Sequence, residues 1–233
     1  MTDIFAPTST PEAPVGASTR RIPVGLFRFA GVALAAFPVL LSAGMVFSPP
    51  QTLPGEAGYI ASLAADPTVS LISANLLHYA WVALALGVMG VIGLVAARRG
   101  RAWVAITAVI VAFGAVQLSG LLLSDWFLIS AGNNLSIEQA LAMDAGAKEA
   151  SAGVWLITAQ VFSMLGVPAL SFGLARARVV SWWIAPLPLL AFIVPMFNLG
   201  VIAALAVAPL MAPIFVAAYK LIRLPRTETI AIS

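Results

Sequence analysis

The chain has 233 residues, of which 61% are hydrophobic and only 9% charged, against about 45–50% and about 25% in ordinary soluble domains. With a mean hydropathy of +1.03, a water-soluble globule of this size is excluded, and the composition identifies a polytopic membrane protein. Cysteine is absent and histidine occurs once, which removes disulfides, iron–sulfur clusters, thiolate zinc and any multi-histidine metal site within one chain; the net charge of +3 reports orientation before partners, and no nucleic-acid partner is expected.

Residues 1–23 form a polar tail rich in Pro, Ser, Thr and Ala, too poor in apolar residues to fold alone. Arg20-Arg21 resembles the start of a signal peptide, but the apolar stretch after it is long and more follow, so an uncleaved first helix is expected. Five uncharged runs then occupy the domain 24–224: Phe29–Phe47, Val69–Ala97, Ala102–Ser124, Ala150–Ala175 and Val179–Tyr219. About 20 residues cross about 30 Å of hydrocarbon. The first four runs therefore predict one helix each, at about 26–47, 69–97, 102–124 and 150–175. The fifth has 41 residues, about 60 Å of helix, which is two crossings. Its break is expected at Phe197-Asn198-Leu199-Gly200, giving helices at about 180–197 and 199–222 and leaving 225–233 as a second tail. The predicted fold is all-α, a bundle of six transmembrane helices.

Charge supports that count. With the N-terminus in the cytoplasm, every one of the 12 Lys and Arg residues except Lys148 falls inside, as the positive-inside rule requires. A five-helix arrangement would move Lys220, Arg223 and Arg226 outside. Both termini are thus expected in the cytoplasm, with the chain in a plasma membrane.

Two outer loops are long enough to hold structure. In the first, about 48–68, Tyr59, Ile60 and Leu63 share a helical face, which suggests a short helix lying on the membrane surface. Asp66-Pro67 then reads as an N-cap followed by Pro at N1. In the second, about 125–149, Ser136-Ile137-Glu138-Gln139 fits a capping box. These loops carry Glu56, Asp66, Asp125, Glu138, Asp144 and Glu149 against one lysine, an acidic outer surface. A faint echo links Leu86-Gly87-Val88, Gly93-Leu94 and Arg98-Arg99 with Leu165-Gly166-Val167, Gly173-Leu174 and Arg176-Ala177-Arg178, consistent with three repeated helical hairpins.

Polar residues in hydrocarbon are costly without partners, so their depth selects the candidates. His78 lies about 13 Å into the second predicted helix, near the midplane. Asn75 is one turn further out on the same face, Gln160 is near the midplane of the fourth helix, and Gln117 is in the outer half of the third. These four residues are expected to converge into a ligand site or proton relay that opens to the outside. The structural alternative is hydrogen bonding across packed helices, at about 0.6 kcal/mol each. No cofactor is predicted; haem held by His78, with a methionine such as Met164 opposite, would be the alternative. Small-residue pairs such as Gly31/Ala35, Ala83/Gly87 and Ala169/Gly173 point to close helix packing. Pro186, Pro188, Pro195, Pro209 and Pro213 predict kinks in the last two helices.

The Ala74-Asn75-Leu76-Leu77-His78 stretch and the Gly173-Leu174-Ala175-Arg176 exit resemble an uncharacterised family of six-helix bacterial membrane proteins. That resemblance implies a bacterial plasma membrane and supplies no activity or site residue. Three functions compete. The first is a ligand-binding or transport component taking a small or lipophilic ligand; substrate-binding subunits of energy-coupling-factor transporters are similar in helix number and size. A small-residue face at Gly31, Ala35 and Ala36 would serve a coupling partner there. The second is an accessory or assembly subunit that stabilises a larger membrane complex, with a membrane-protein partner or a second copy of itself. The third is a membrane enzyme or redox protein using His78. No His-Glu-x-x-His, Walker A sequence or intramembrane acidic pair is present, so no catalytic residue is assigned and the first reading is preferred.

Overall fold

The computed structural model describes residues 24–96, 98–197 and 199–224. Both predicted tails, Arg20, Arg21, Arg226 and the Asn198 of the expected turn lie outside the described residues. Those described form an all-helical protein with no strand. Four helical stretches are long and apolar enough to cross a membrane: Val24–Phe47, Pro67–Leu94, Arg101–Asn134 and Val154–Arg176. A fifth is a pair, Val201–Leu210 and Ala212–Ile222, bent by 44°.

The first stretch is one helix, α1 (Val24–Phe47). After α2 (Gly55–Ala65), the Asp66 carboxylate accepts the Val69 N–H at 3.1 Å and Pro67 opens α3 (Pro67–Val88), continued by the single turn α4 (Val91–Leu94). The third comprises α5 (Arg101–Leu122) and α6 (Ser124–Asn134), followed by α7 (Ile137–Ser151). The expected capping box is present: Ser136 N–H donates to Gln139 Oε1 at 3.1 Å and Gln139 N–H to Ser136 Oγ at 3.3 Å. A π-helical segment (Ala152–Leu156) then leads into α8 (Ile157–Met164) and α9 (Gly166–Arg176).

Around 180–197 the structure is more broken than predicted. α10 covers only Leu187–Ile193 and passes into a 3-10 turn, Val194–Phe197. Proline lacks the N–H that an i→i−4 ladder needs, so α10 begins just after Pro186 with Pro188 in its first turn, where the N–H is not missed, and ends before Pro195. The same chemistry bends the last stretch at Met211, between Pro209 and Pro213, where α11 (Val201–Leu210) gives way to α12 (Ala212–Ile222).

α3 sits between α1 and α5; α1 also packs on α11 and α12, α5 on α8 and α9, and α10 closes against α9, α11 and α12. The buried Trp81 ring lies 5.2 Å from Phe37 and stacks at 6.5 Å on Phe192, joining α3 to α1 and α10. Helix association in lipid relies on dispersion and close approach, because the tails are as apolar as leucine. The small residues supply that approach internally. A Cβ on Gly87 would stand 2.5 Å from Leu34 N, and one on Gly31 2.8 Å from Ala218 O. Gly31 is therefore covered by α12, and the small-residue face suggested for a coupling partner is used within the chain.

A second apolar cluster forms beyond the C-terminal ends of α1 and α5 and the N-terminal end of α3. Ile60 and Leu63 of α2 meet Leu128, Ile129 and Ala131 of α6 and Ala140 of α7. The apolar face of α2 is thus buried against protein instead of lying on a membrane surface. The reason is that α5 runs on into α6, which rises far enough to meet it. Replacing Gly87 by Leu should force α1 and α3 apart, costing about 1–3 kcal/mol as overpacking does. A lowered thermal midpoint in detergent is the expected result; an unchanged midpoint would refute the close crossing.

Candidate functional site

The last four carbonyls of a helix have no partner in their own ladder. Ser119 is one of these in α5, and the break at Leu123 leaves its oxygen available because Leu123 N–H turns to Gly120 O at 3.1 Å. His78 of α3 meets it: Nδ1 lies 2.9 Å from Ser119 O. A carbonyl only accepts, so the proton is on Nδ1, and a neutral ring then presents Nε2 as an acceptor. His78 is half-buried and edge-on to Tyr79, with ring centroids 5.0 Å apart.

Gln117 lies on the opposite flank of α5. Its Oε1 accepts from Thr158 Oγ1 at 2.7 Å, across to α8. Thr158 also reaches back to the carbonyls of Val154 and Trp155, in the π-helical turn. Such turns leave backbone acceptors unmatched. Asn75 turns to its own helix, donating to Leu71 O at 2.7 Å. Gln160 is exposed, and Met164 falls one turn later on the same exposed face. The expected four-residue convergence is not formed. His78 and Gln117 flank α5 separately, because the α5–α8 seam is occupied by Gly114 against Phe162 and Ser163, which turns Gln160 outward. His78 lies halfway along α3, 11 residues from Pro67 and 10 from Val88.

The acidic residues have a clearer arrangement. Tyr59 donates from its hydroxyl to Asp125 Oδ1 at 2.8 Å, and Asp125 is only 8% exposed. Burial first, then the Asp125 carboxylate, push the Tyr59 hydroxyl far above its ordinary value of 10.0, keeping it a donor. Lys148 bridges Glu56 at 2.6 Å and Asp144 at 2.8 Å. Burial lowers the Lys148 pKa, but the hydrogen bonds Lys148 donates to Asp144 and Glu56 outweigh it and the net direction is upward. Any stability from this raised value is fully present below 10.5 and fades only as pH climbs through the folded value. Asp66 caps α3, while Glu138 and Glu149 are exposed.

These two links clasp α2 to α6 and α7, and clefts open on either side of the first turn of α2. One is apolar, about 510 Å³, lined by Leu53, Pro54, Ala57, Ala61, Gly132 and Ile137 among others. The second, about 440 Å³, is lined by Gln51, Gly55, Glu56, Tyr59 and Lys148. Sequence reasoning missed the Tyr59–Asp125 and Lys148 links, whose partners are up to 92 positions apart. Ser119 and Thr158 gave no signal either, since their roles come from helix breaks.

Changing His78 to Leu leaves the Ser119 carbonyl unpaired, a loss of about 1–3 kcal/mol, whereas His78→Gln keeps a donor and should recover part of it. Equal thermal midpoints for the two variants in detergent would contradict the capping role. Comparison with protein-family models, curated proteins and solved structures finds no match to this chain.

Proposed function

We propose that this chain is a non-enzymatic ligand-binding or transport component of a bacterial plasma membrane, with six crossings and both termini in the cytoplasm. The four long apolar stretches and the bent fifth support five crossings directly. The proline-broken segment through Leu187–Phe197 supplies the sixth, and an even number keeps the described cations other than Lys148 on one side, as the positive-inside rule requires. The clasped outer helices then stand beyond the hydrocarbon as a cap.

The observation that carries the ligand reading is that an apolar and a polar cleft open at the same turn of α2, the first lined by Pro54 and Ala57 and the second by Gly55 and Glu56. A ligand suited to both has an apolar body and a polar head, the form of an amphiphile arriving from the outer leaflet. Glu56 and Lys148 would meet the head, and Ala57, Ala61 and Ile137 the body. His78 and Asn75 sit lower on α3 and serve as the next polar groups inward.

Native mass spectrometry of the full chain, extracted from its source in a mild detergent, tests this. A retained small-molecule adduct is expected, and Ala61→Trp, which fills the apolar cleft from an exposed position, should abolish it without unfolding the protein. A bare wild-type chain, or an adduct indifferent to Ala61→Trp, would overturn the proposal.

One observation favours the accessory-subunit reading as the second choice. Gln160 is exposed amid the outward-facing Ile157, Val161 and Met164, and a polar side chain facing lipid is costly unless another helix covers it. In that case a stoichiometric second protein or a second copy is retained on extraction, and Gln160→Leu releases it; retention unaffected by the substitution would dismiss this reading.

A further inference from the structure

The end of the bundle opposite the cap gathers cations around one turn. Arg98 Nη1 donates to Ala177 O at 3.4 Å and Lys220 Nζ to Val179 O at 2.6 Å. Gly100 backs onto Arg176, whose Cγ lies 3.3 Å from where a Cβ would stand. Arg99, Arg101 and Arg178 are exposed beside them. The acidic side chains among the described residues all lie elsewhere, in the cap or at the start of α3.

Two of these cations occupy positions that local chemistry disfavours. α9 ends in a Schellman motif: Val179 N–H donates to Leu174 O and Arg178 N–H to Ala175 O, both at 2.9 Å, with Val179 and Leu174 buried together. The left-handed position of this motif is usually glycine, yet here it is Arg178, at φ 56°. Arg101 is the first residue of α5, at the positive end of the helix dipole, where a cation is unfavourable. Folding alone would be served better by glycine and by a neutral or acidic residue. Strain at an exposed charged residue points to something that residue binds.

We propose that this turn binds the phosphate of an anionic phospholipid headgroup. Arg98 and Lys220 are held on the carbonyls of the turn with donors to spare, which pre-organises them beside Arg178. Basic pockets between membrane helices on the cytoplasmic side suit such headgroups. The chain next presents Trp182 at 60% and Trp183 at 90% exposure, and indole rings settle at headgroup level. That pairing of cations and indoles favours a lipid over a soluble anion. The proposal is independent of the ligand suggested for the cap.

The full chain, purified and delipidated in detergent, would be titrated with phosphatidylglycerol or phosphatidylcholine of identical acyl chains, with bound lipids resolved by native mass spectrometry. Phosphatidylglycerol should be retained preferentially, and Arg178→Gly should weaken it about fivefold, the weight of one cation near an anionic surface, while the thermal midpoint holds or rises. Arg101→Gln should act in the same direction, and Ala61→Trp should leave lipid retention unchanged. Equal retention of the two lipids, or full retention by Arg178→Gly, overturns the proposal. Displacement by inorganic phosphate at the concentration of the lipid would reassign the site to a free anion and overturn it as well.

Discussion

Carbonyl oxygens at helix ends must find donors, and in a membrane protein water does not supply them within the hydrocarbon. Much of the polar chemistry of this chain answers that demand. Ser73 Oγ donates to Gly44 O near the end of α1, Ser70 Oγ to Leu63 O near the end of α2, and His78 to Ser119 O near the end of α5. Arg98 and Lys220 do the same for the turn after α9. Three of these donors belong to α3, so one helix secures the C-terminal ends of three others. This accounts for the central position of α3 more directly than its apolar surface does, since lipid offers an apolar surface equally good contacts.

The architecture follows from these end-to-side contacts. With α1, α2 and α5 tied to α3, α6 is carried upward to meet α2, and the small outer core closes around Ile60 and Leu128. The Tyr59–Asp125 and Lys148 links then join segments that the chain itself separates widely. Each side of α2 is left with a cleft because α6 and α7 reach it at different points along its length. The opposite end uses cations for the same purpose, with guanidinium and ammonium groups replacing hydroxyls.

Periodicity and run length made the long helices legible, because an apolar run of 19 or more residues such as Phe29–Phe47 has few other fates. Local capping was legible too: Asp66-Pro67 and Ser136–Gln139 are short-range chemistry and appear where their residues predict. What could not be read was anything depending on where a helix breaks. The expected grouping of His78, Asn75, Gln117 and Gln160 assumed straight helices and equal rotation. The interruption at Leu123 and the π-helical turn at 152–156 alter both, so His78 faces Ser119, Gln117 faces Thr158 and Gln160 faces outward. Likewise, prolines predicted a kink near 180–197 but not that regular helix would shrink to Leu187–Ile193.

Once capping is recognised, the polar residues separate by what remains unexplained. His78 has a structural duty, as do Ser70 and Ser73, and their presence in apolar helices needs no ligand. Gln160 caps nothing described and lies exposed, and Arg178 holds a backbone conformation that glycine would hold with less strain. Histidine is the residue that chemistry most readily singles out in such a sequence, yet in this fold its Nδ1 is already committed to closing a helix end. Function is better sought where polar side chains are free of such duties: at Gln160 on the open face of α8 and at Arg178 in the turn after α9.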